Sequence, residues 1–276
     1  MSFKKIACMA LLSGSLIALG LSAQAAPIQT DIIMIVDESG SMGNVQANLR
    51  NNIGLFASIL SGGGLVDARY GLVGYGDSAV RPRMVTDFTD PAGFATAAMG
   101  LTTNGGTEPG YTASAFALNE LDGQSSLFSF RSDALINIII FTDEPSNGDT
   151  ASRGAVGGNA VTASILDELL KDNNALYNAV LRGSSTINSF SALATGNHGQ
   201  VFDLNGLNST NQTVVQDFVT AFASAKLNET IDFCTANPTA PGCQPTGPAQ
   251  VPEPGILGLI ALGMVGLGLT RRKRLI

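Results

Sequence analysis

Side chains that carry hard oxygen ligands lie at three places in this sequence. Asp37, Ser39 and Ser41 follow one apolar run at a spacing of two residues, and Asp143 follows another. Thr107 lies between them in a glycine loop before a predicted helix. Carboxylate and hydroxyl oxygens suit Mg²⁺ or Ca²⁺ rather than zinc. The residue types therefore predict a divalent-cation site.

Two of these candidate ligands, Asp37 and Asp143, are carboxylates at predicted strand ends. The preceding runs, 31–36 and 134–141, are apolar except for Asp31 and Asn137, which is typical of strands buried on both faces. Two acids in one crevice repel each other unless a cation lies between them. Each residue alone has a plainer interpretation as a turn or helix-cap residue. The prediction therefore depends on the joint pattern.

The elements that must position these residues alternate along residues 30–230, which we interpret as one domain. Further strands are predicted at 70–75, 175–180, 200–202 and, as an edge strand containing Pro82, 80–88. Amphipathic helices are predicted at 44–60, 159–171 and 213–227. This alternation predicts an α/β fold: a doubly wound, mostly parallel central sheet with helices on both faces and one antiparallel edge strand.

Charge is unevenly distributed along the chain. The formal net charge is −7, but residues 26–250 contain 9 basic and 21 acidic residues, a net charge of −12. Such a domain repels nucleic-acid phosphates, so we expect no nucleic-acid partner. His198 is the only histidine, which excludes mechanisms that need a histidine cluster.

Residues 1–25 have the three parts of a secretory signal peptide. Two lysines precede an apolar run at 6–21, and Ala23-Gln24-Ala25 forms a small-x-small cleavage site. Residues 231–250 are predicted to form a linker rich in Pro, Gly and Thr. We expect Cys234 and Cys243 to form a disulfide there, because an exported protein meets oxidising conditions. Metal binding by the two thiols is the weaker alternative.

The C-terminal segment 251–276 contains Pro252-Glu253-Pro254, an apolar stretch at 255–269 and the basic cluster 271–274. These parts in this order resemble the PEP-CTERM sorting signal of exopolysaccharide-producing Gram-negative bacteria. The apolar stretch is short for a transmembrane helix, and a plain tail anchor is the other interpretation. The resemblance implies anchoring in the inner membrane, then processing by an exosortase. The protein would then be at the cell surface or extracellular, where exopolysaccharide is a candidate partner.

The central pattern resembles the metal ion-dependent adhesion site (MIDAS) of the von Willebrand factor type A (vWA) domain. The resemblance covers residues 30–230. It implies that Ser39, Ser41 and Thr107 bind Mg²⁺ (or Ca²⁺) through hydroxyls, and that Asp37 and Asp143 bind directly or through water. All five positions are filled. One departure is Glu144, which stands where the family often has glycine.

This resemblance implies a metal-dependent adhesion module whose protein partner offers an acidic side chain to the metal. One alternative is a structural protein of the exopolysaccharide matrix, in which the metal only stabilises the fold. A second is a hydrolase that uses Asp37 and Asp143 as paired carboxylates. We expect no enzymatic activity, because no histidine base lies near the serines in sequence.

Overall fold

The computed structural model describes residues 26–243, which form an α/β unit around a six-stranded sheet. The predicted signal peptide and the predicted transmembrane helix lie outside these residues. The strands of the main sheet are β1 (Ile28–Asp37), β2 (Val66–Tyr75), β3 (Arg83–Thr89), β4 (Leu135–Thr142), β7 (Leu176–Leu181) and β8 (Val201–Asp203). Strands β5 (Ala155–Val156) and β6 (Asn159–Ala160) form a separate hairpin.

The sheet order is β3-β2-β1-β4-β7-β8, and only the β2–β3 pair is antiparallel. This confirms the predicted mostly parallel sheet with one antiparallel edge strand. The chain adds β2 and β3 on one side of β1 and then β4, β7 and β8 on the other side. This change of direction opens a crevice at the carboxyl ends of the strands. Strands β1 and β4 are adjacent and in register from Thr30–Leu135 to Val36–Phe141. Their carboxyl ends therefore meet at one edge.

Helices cover both faces of the sheet. They are α1 (Gly43–Leu60), α2 (Pro91–Ala97), α3 (Gly110–Ala117), α4 (Ala163–Asp172), α5 (Ser184–Gly196) and α6 (Gln212–Ala236). Within β1, Ile32 and Met34 pack in one core with α1, α2 and α6, whereas Ile33 and Ile35 pack in a second core with α3, α4 and α5. Alternate side chains of one strand thus enter two cores, which explains the uninterrupted apolar run.

Two of the predicted helices have different bounds in the structure. The predicted helix 159–171 begins only at Ala163, because Asn159–Ala160 forms β6 and the Thr162 hydroxyl caps the helix by accepting from the Ile165 amide. Helix α6 extends to Ala236, so residues 231–236 of the predicted linker are helical. No helix within residues 26–243 is long and apolar enough to cross a membrane.

The end of α6 is tied back to the start of the sheet. Cys234 and Cys243 form a disulfide, and the Gln29 amide at the start of β1 donates to the Gly242 carbonyl over 3.2 Å. Gly242 has φ +78°, and a Cβ at this position would lie 2.3 Å from the carbonyl oxygen of Gln29. The two ends of the described chain therefore meet at the amino edge of the sheet, opposite the carboxyl ends of β1 and β4.

Candidate metal site

Asp37 is the last residue of β1 and is fully buried. Its Oδ1 accepts from the Ser39 amide over 2.7 Å, and its Oδ2 accepts from the Thr142 hydroxyl over 2.8 Å. Thr142 ends β4, so this bond joins the carboxyl ends of the two central strands. Gln46 on α1 donates to the Asp37 carbonyl over 3.1 Å, which fixes the backbone at the same point.

Burial raises the pKa of Asp37 to about 7, and the nearby carboxylate of Glu108 adds to the rise, whereas hydrogen bonds from Ser39 and Thr142 oppose it. Desolvation disfavours the charged form of a carboxyl group. Ionisation of Asp37 therefore lowers the stability of the metal-free protein. A cation beside Asp37 would offset that loss.

The two serines link Asp37 to the end of the second strand. A short 3-10 turn at Gly40–Met42 leads into α1 and brings the Ser41 hydroxyl to 3.1 Å from the Ser39 hydroxyl. Ser41 also donates to Asp143 Oδ1 over 2.9 Å. Asp37, Ser39, Ser41 and Asp143 thus form one continuous hydrogen-bonded group.

Thr107 lies in the loop beside this group. Gly105 forms an isolated parallel bridge with Ser39, and its amide donates to the Glu38 carbonyl over 3.2 Å. A Cβ on Gly105 would meet the Gly76 carbonyl oxygen at 1.4 Å, so only glycine allows this close approach. The half-buried Thr107 makes no side-chain hydrogen bond to any residue in 26–243. Its hydroxyl is therefore not engaged by another residue of this part of the chain.

Arg182 is a feature of the site that the sequence analysis missed. It follows β7 directly, and its guanidinium forms an ion pair with Asp143 Oδ2. The Thr186 hydroxyl on α5 donates to the Asp143 backbone carbonyl over 2.9 Å. The pairing depends on β7 lying next to β4, so nothing in the local sequence around Asp143 could have indicated it. Glu144, the departure from the family pattern, is exposed.

Glu38, between two of the candidate ligands, was also missed. Its buried Oε1 accepts from the Thr102 amide over 2.7 Å and pairs with Arg83 of β3. The carboxyl group lies over Gly74 of β2, where a Cβ would approach its Oε2 to 2.5 Å. Glu38 therefore ties the edge strand and the loop before Thr107 to the end of β1.

The carboxyl group of Glu108, next to Thr107 in the same loop, adds negative charge near the site. Glu108 is buried, and its Oε2 accepts from the Asn147 side-chain amide over 2.8 Å. Desolvation raises the pKa of Glu108, and the carboxylates of Glu144 and Asp143 raise it further. The carboxyl edge of the sheet is thus strongly acidic, which favours cations there.

The donors fit a hard divalent cation that takes hydroxyl and water ligands as well as carboxylates. Within residues 26–243, no group of three or more His, Cys, Asp or Glu side chains is arranged to hold a metal ion. A site made of carboxylates alone is therefore not present in that part of the chain. The hydrogen-bonded oxygens of Asp37, Ser39, Ser41 and Asp143 are a mixed donor set of the kind that Mg²⁺ and Ca²⁺ accept.

The fold and this edge define a doubly wound α/β domain with oxygen ligands at its topological switch point. The family model of the von Willebrand factor type A domain matches residues 31–220, and the chain belongs to that family. A PEP-CTERM protein-sorting motif matches residues 250–274. Both findings confirm the resemblance to a vWA domain and to a PEP-CTERM signal. The metal-binding role of the five candidate ligands stays a prediction. A comparison with curated proteins finds no match.

Proposed function

We propose that this protein is an exported, metal-dependent protein-binding or adhesion module of a Gram-negative cell surface or extracellular matrix, and that it is not an enzyme. The observation that supports this most directly is the hydrogen-bonded group of Asp37, Ser39, Ser41 and Asp143 at the carboxyl edge of the sheet. The family and the sorting motif support an exported interaction module.

In this proposal Ser39, Ser41 and Thr107 bind Mg²⁺ or Ca²⁺ through hydroxyl oxygens, and Asp37 and Asp143 bind directly or through water. A site with few direct carboxylate ligands leaves the cation electron-poor. When bound, the cation would accept an acidic side chain of the partner protein. The chain's own residues position the donors: Thr142 and the Ser39 amide fix the Asp37 carboxylate, and Ser41 orients Asp143 Oδ1.

The position of His198 argues against a hydrolase in which Ser39 or Ser41 is the nucleophile. His198 lies in the turn after α5, just before β8, and its ring packs against Phe233 with centroids 5.2 Å apart. The carbonyl of the neighbouring Asn197 accepts from the amide of Tyr177, near the start of β7. This turn is at the amino edge of the sheet. The chain's single histidine is therefore not placed to activate Ser39 or Ser41.

Metal binding is tested by thermal unfolding of the purified protein with a chelator or with saturating Mg²⁺ or Ca²⁺. A ligand of the folded state stabilises it by mass action. A free metal concentration about a hundredfold above Kd corresponds to a rise in Tm of about 5–10 °C. Ser41→Ala should lose most of this rise in Tm, because it removes a proposed metal ligand. Ser41 is exposed, so the truncation itself should cost little stability. Ser58→Ala, an exposed serine far along α1, should keep it.

Partner binding needs a separate experiment, because a matrix protein stabilised by metal would pass the first one. Immobilised protein is incubated with matrix extract in Mg²⁺ and then washed with chelator. The proposal expects a specific protein that chelator releases and that Ser41→Ala fails to retain. A metal-dependent Tm without any chelator-released protein would favour the structural alternative. No change in Tm with either metal would contradict the metal site itself.

A further inference from the structure

We infer that Arg182 is a built-in counter-ion that competes with the bound metal for Asp143 and thereby holds the metal affinity of the site down. This inference deepens the proposed function, because it names a residue that tunes the same site, and it depends on metal binding there. Of the ion pairs formed by residues 26–243, this is the one that engages a candidate metal ligand.

The two carboxylate oxygens of Asp143 have different neighbours. Oδ1 accepts from Ser41, on the side of the proposed ligands, whereas Oδ2 is paired with Arg182. The Asp143 side chain is only 5% exposed, so solvent screens this ion pair less than it screens a surface pair. The guanidinium therefore withdraws part of the negative charge that Asp143 would otherwise present to a cation.

The fold fixes both partners of this ion pair through their backbones. The Arg182 amide donates to the Thr142 carbonyl over 3.3 Å, beside the position from which Asp143 extends. Gly183, with φ +90°, turns the chain into α5, from which Thr186 donates to the Asp143 carbonyl. Arg182 is thus built into the carboxyl edge by the β4–β7 pairing. It is not a surface side chain that meets an aspartate by chance.

Neutralising one carboxylate has two opposite effects. It weakens the attraction between the site and a divalent cation, and it leaves a bound cation with more positive charge to offer an acidic ligand. The Arg182 side chain is also 34% exposed, so it adds a positive charge at the accessible edge of the site. Arg182 therefore lowers the metal affinity of the site and strengthens its attraction for an anionic partner.

The test measures the Mg²⁺ dissociation constant by titration calorimetry on the purified full chain. Arg182→Gln and Arg182→Met remove the charge, and each should bind Mg²⁺ about tenfold more tightly than the unaltered protein. Arg182→Lys keeps the charge and should stay within about threefold of the unaltered protein. Lys171→Gln is the matched control: it removes one positive charge from an exposed pair with Asp167, near the end of α4, and should leave the constant unchanged.

The possible failures are distinguishable. If the unaltered protein shows no heat of Mg²⁺ or Ca²⁺ binding, the proposed function fails before Arg182 is considered. If it binds but both neutral variants bind equally or more weakly, Arg182 only positions Asp143 and the inference is overturned. Circular dichroism in chelator separates weak binding from loss of fold in each variant. Two neutral side chains of different shape keep the test decisive when one of them unfolds the domain.

Discussion

Asp37 is the candidate ligand whose protonation the fold controls most strongly, because it is buried and has a pKa raised to about 7. A carboxyl group with a raised pKa in the folded state stabilises the fold below its unfolded pKa, near 4, and this contribution is lost as the pH rises through 7. The metal-free protein should therefore lose stability from this group between about pH 4 and pH 7. The cost is on the order of 4 kcal/mol above pH 7.

The first prediction follows from this linkage. Because a metal must displace the Asp37 proton, the Mg²⁺ affinity should fall about tenfold for each pH unit below 7 and level off above it. Asp37→Asn should abolish metal binding, yet in chelator at about pH 8 it should unfold at a higher denaturant concentration than the unaltered protein. Calorimetry and urea unfolding at several pH values measure both effects. A pH-independent affinity, or a variant that is less stable at pH 8, would contradict the prediction.

At the scale of elements, helix α6 is held to the sheet by a buried polar cluster. Lys226 is fully buried, and its Nζ donates to Asn137 of β4 over 2.6 Å and pairs with Glu229 over 2.5 Å. Asn178 of β7 donates to the same Glu229 oxygen over 3.0 Å. Both asparagines lie near the starts of their strands. The cluster thus fixes α6 at the amino edge of the sheet, away from the metal site.

The second prediction concerns this cluster. Lys226→Met leaves the buried Glu229 carboxylate without its cation and should lower the free energy of unfolding by about 3–5 kcal/mol. Combining it with Glu229→Gln should recover a large part of the loss, because no buried charge then lacks a partner. Urea unfolding of the two single variants and the double variant gives the coupling. Strictly additive losses would show that the pair is not coupled. Mg²⁺ binding at the opposite edge should be unchanged in all of them.

The elements differ in how readily the sequence predicts them. Strands β1 and β4 are predictable because both of their faces are buried, so each contains an uninterrupted apolar stretch, at 32–36 in β1 and 138–141 in β4. Helix α5 is not, because its sequence is rich in Ser and Thr and few of its side chains are buried. The candidate ligands at strand ends follow from local spacing. Arg182 and Glu38 act through neighbouring strands and loops, and such pairings depend on sheet order, which local sequence does not encode.

At the scale of the whole molecule, the metal site and the ends of the described residues lie at opposite edges of one sheet. Gln29 and Gly242 meet at the amino edge, whereas Asp37 and Asp143 lie at the carboxyl edge. The paired ends of the described chain are therefore separated from the candidate site by the length of the central strands. The C-terminal sorting motif, which implies processing by an exosortase, matches residues 250–274, outside the described residues.

The last prediction concerns that processing. The PEP-CTERM motif implies cleavage by an exosortase, so in a host with an active exosortase the protein should lose its apolar C-terminal segment and appear at the surface or in the medium. In an otherwise identical host without exosortase, it should remain full-length in the membrane fraction. Replacing Pro252-Glu253-Pro254 by alanines should have the same effect as deleting the enzyme. Pro248→Ala, just outside the matched motif, is the control and should be processed normally.

Mass spectrometry of the surface and membrane fractions distinguishes the two interpretations of the C-terminus. A sorting signal gives a shortened chain whose appearance requires both the enzyme and the Pro-Glu-Pro sequence. A plain tail anchor gives an intact chain in the membrane in both hosts, because the apolar stretch and its basic cluster would then be a permanent attachment. Neither outcome tests the proposed metal site, since every proposed ligand lies within residues 31–220, which the vWA family model matches. Export and metal binding can therefore fail independently.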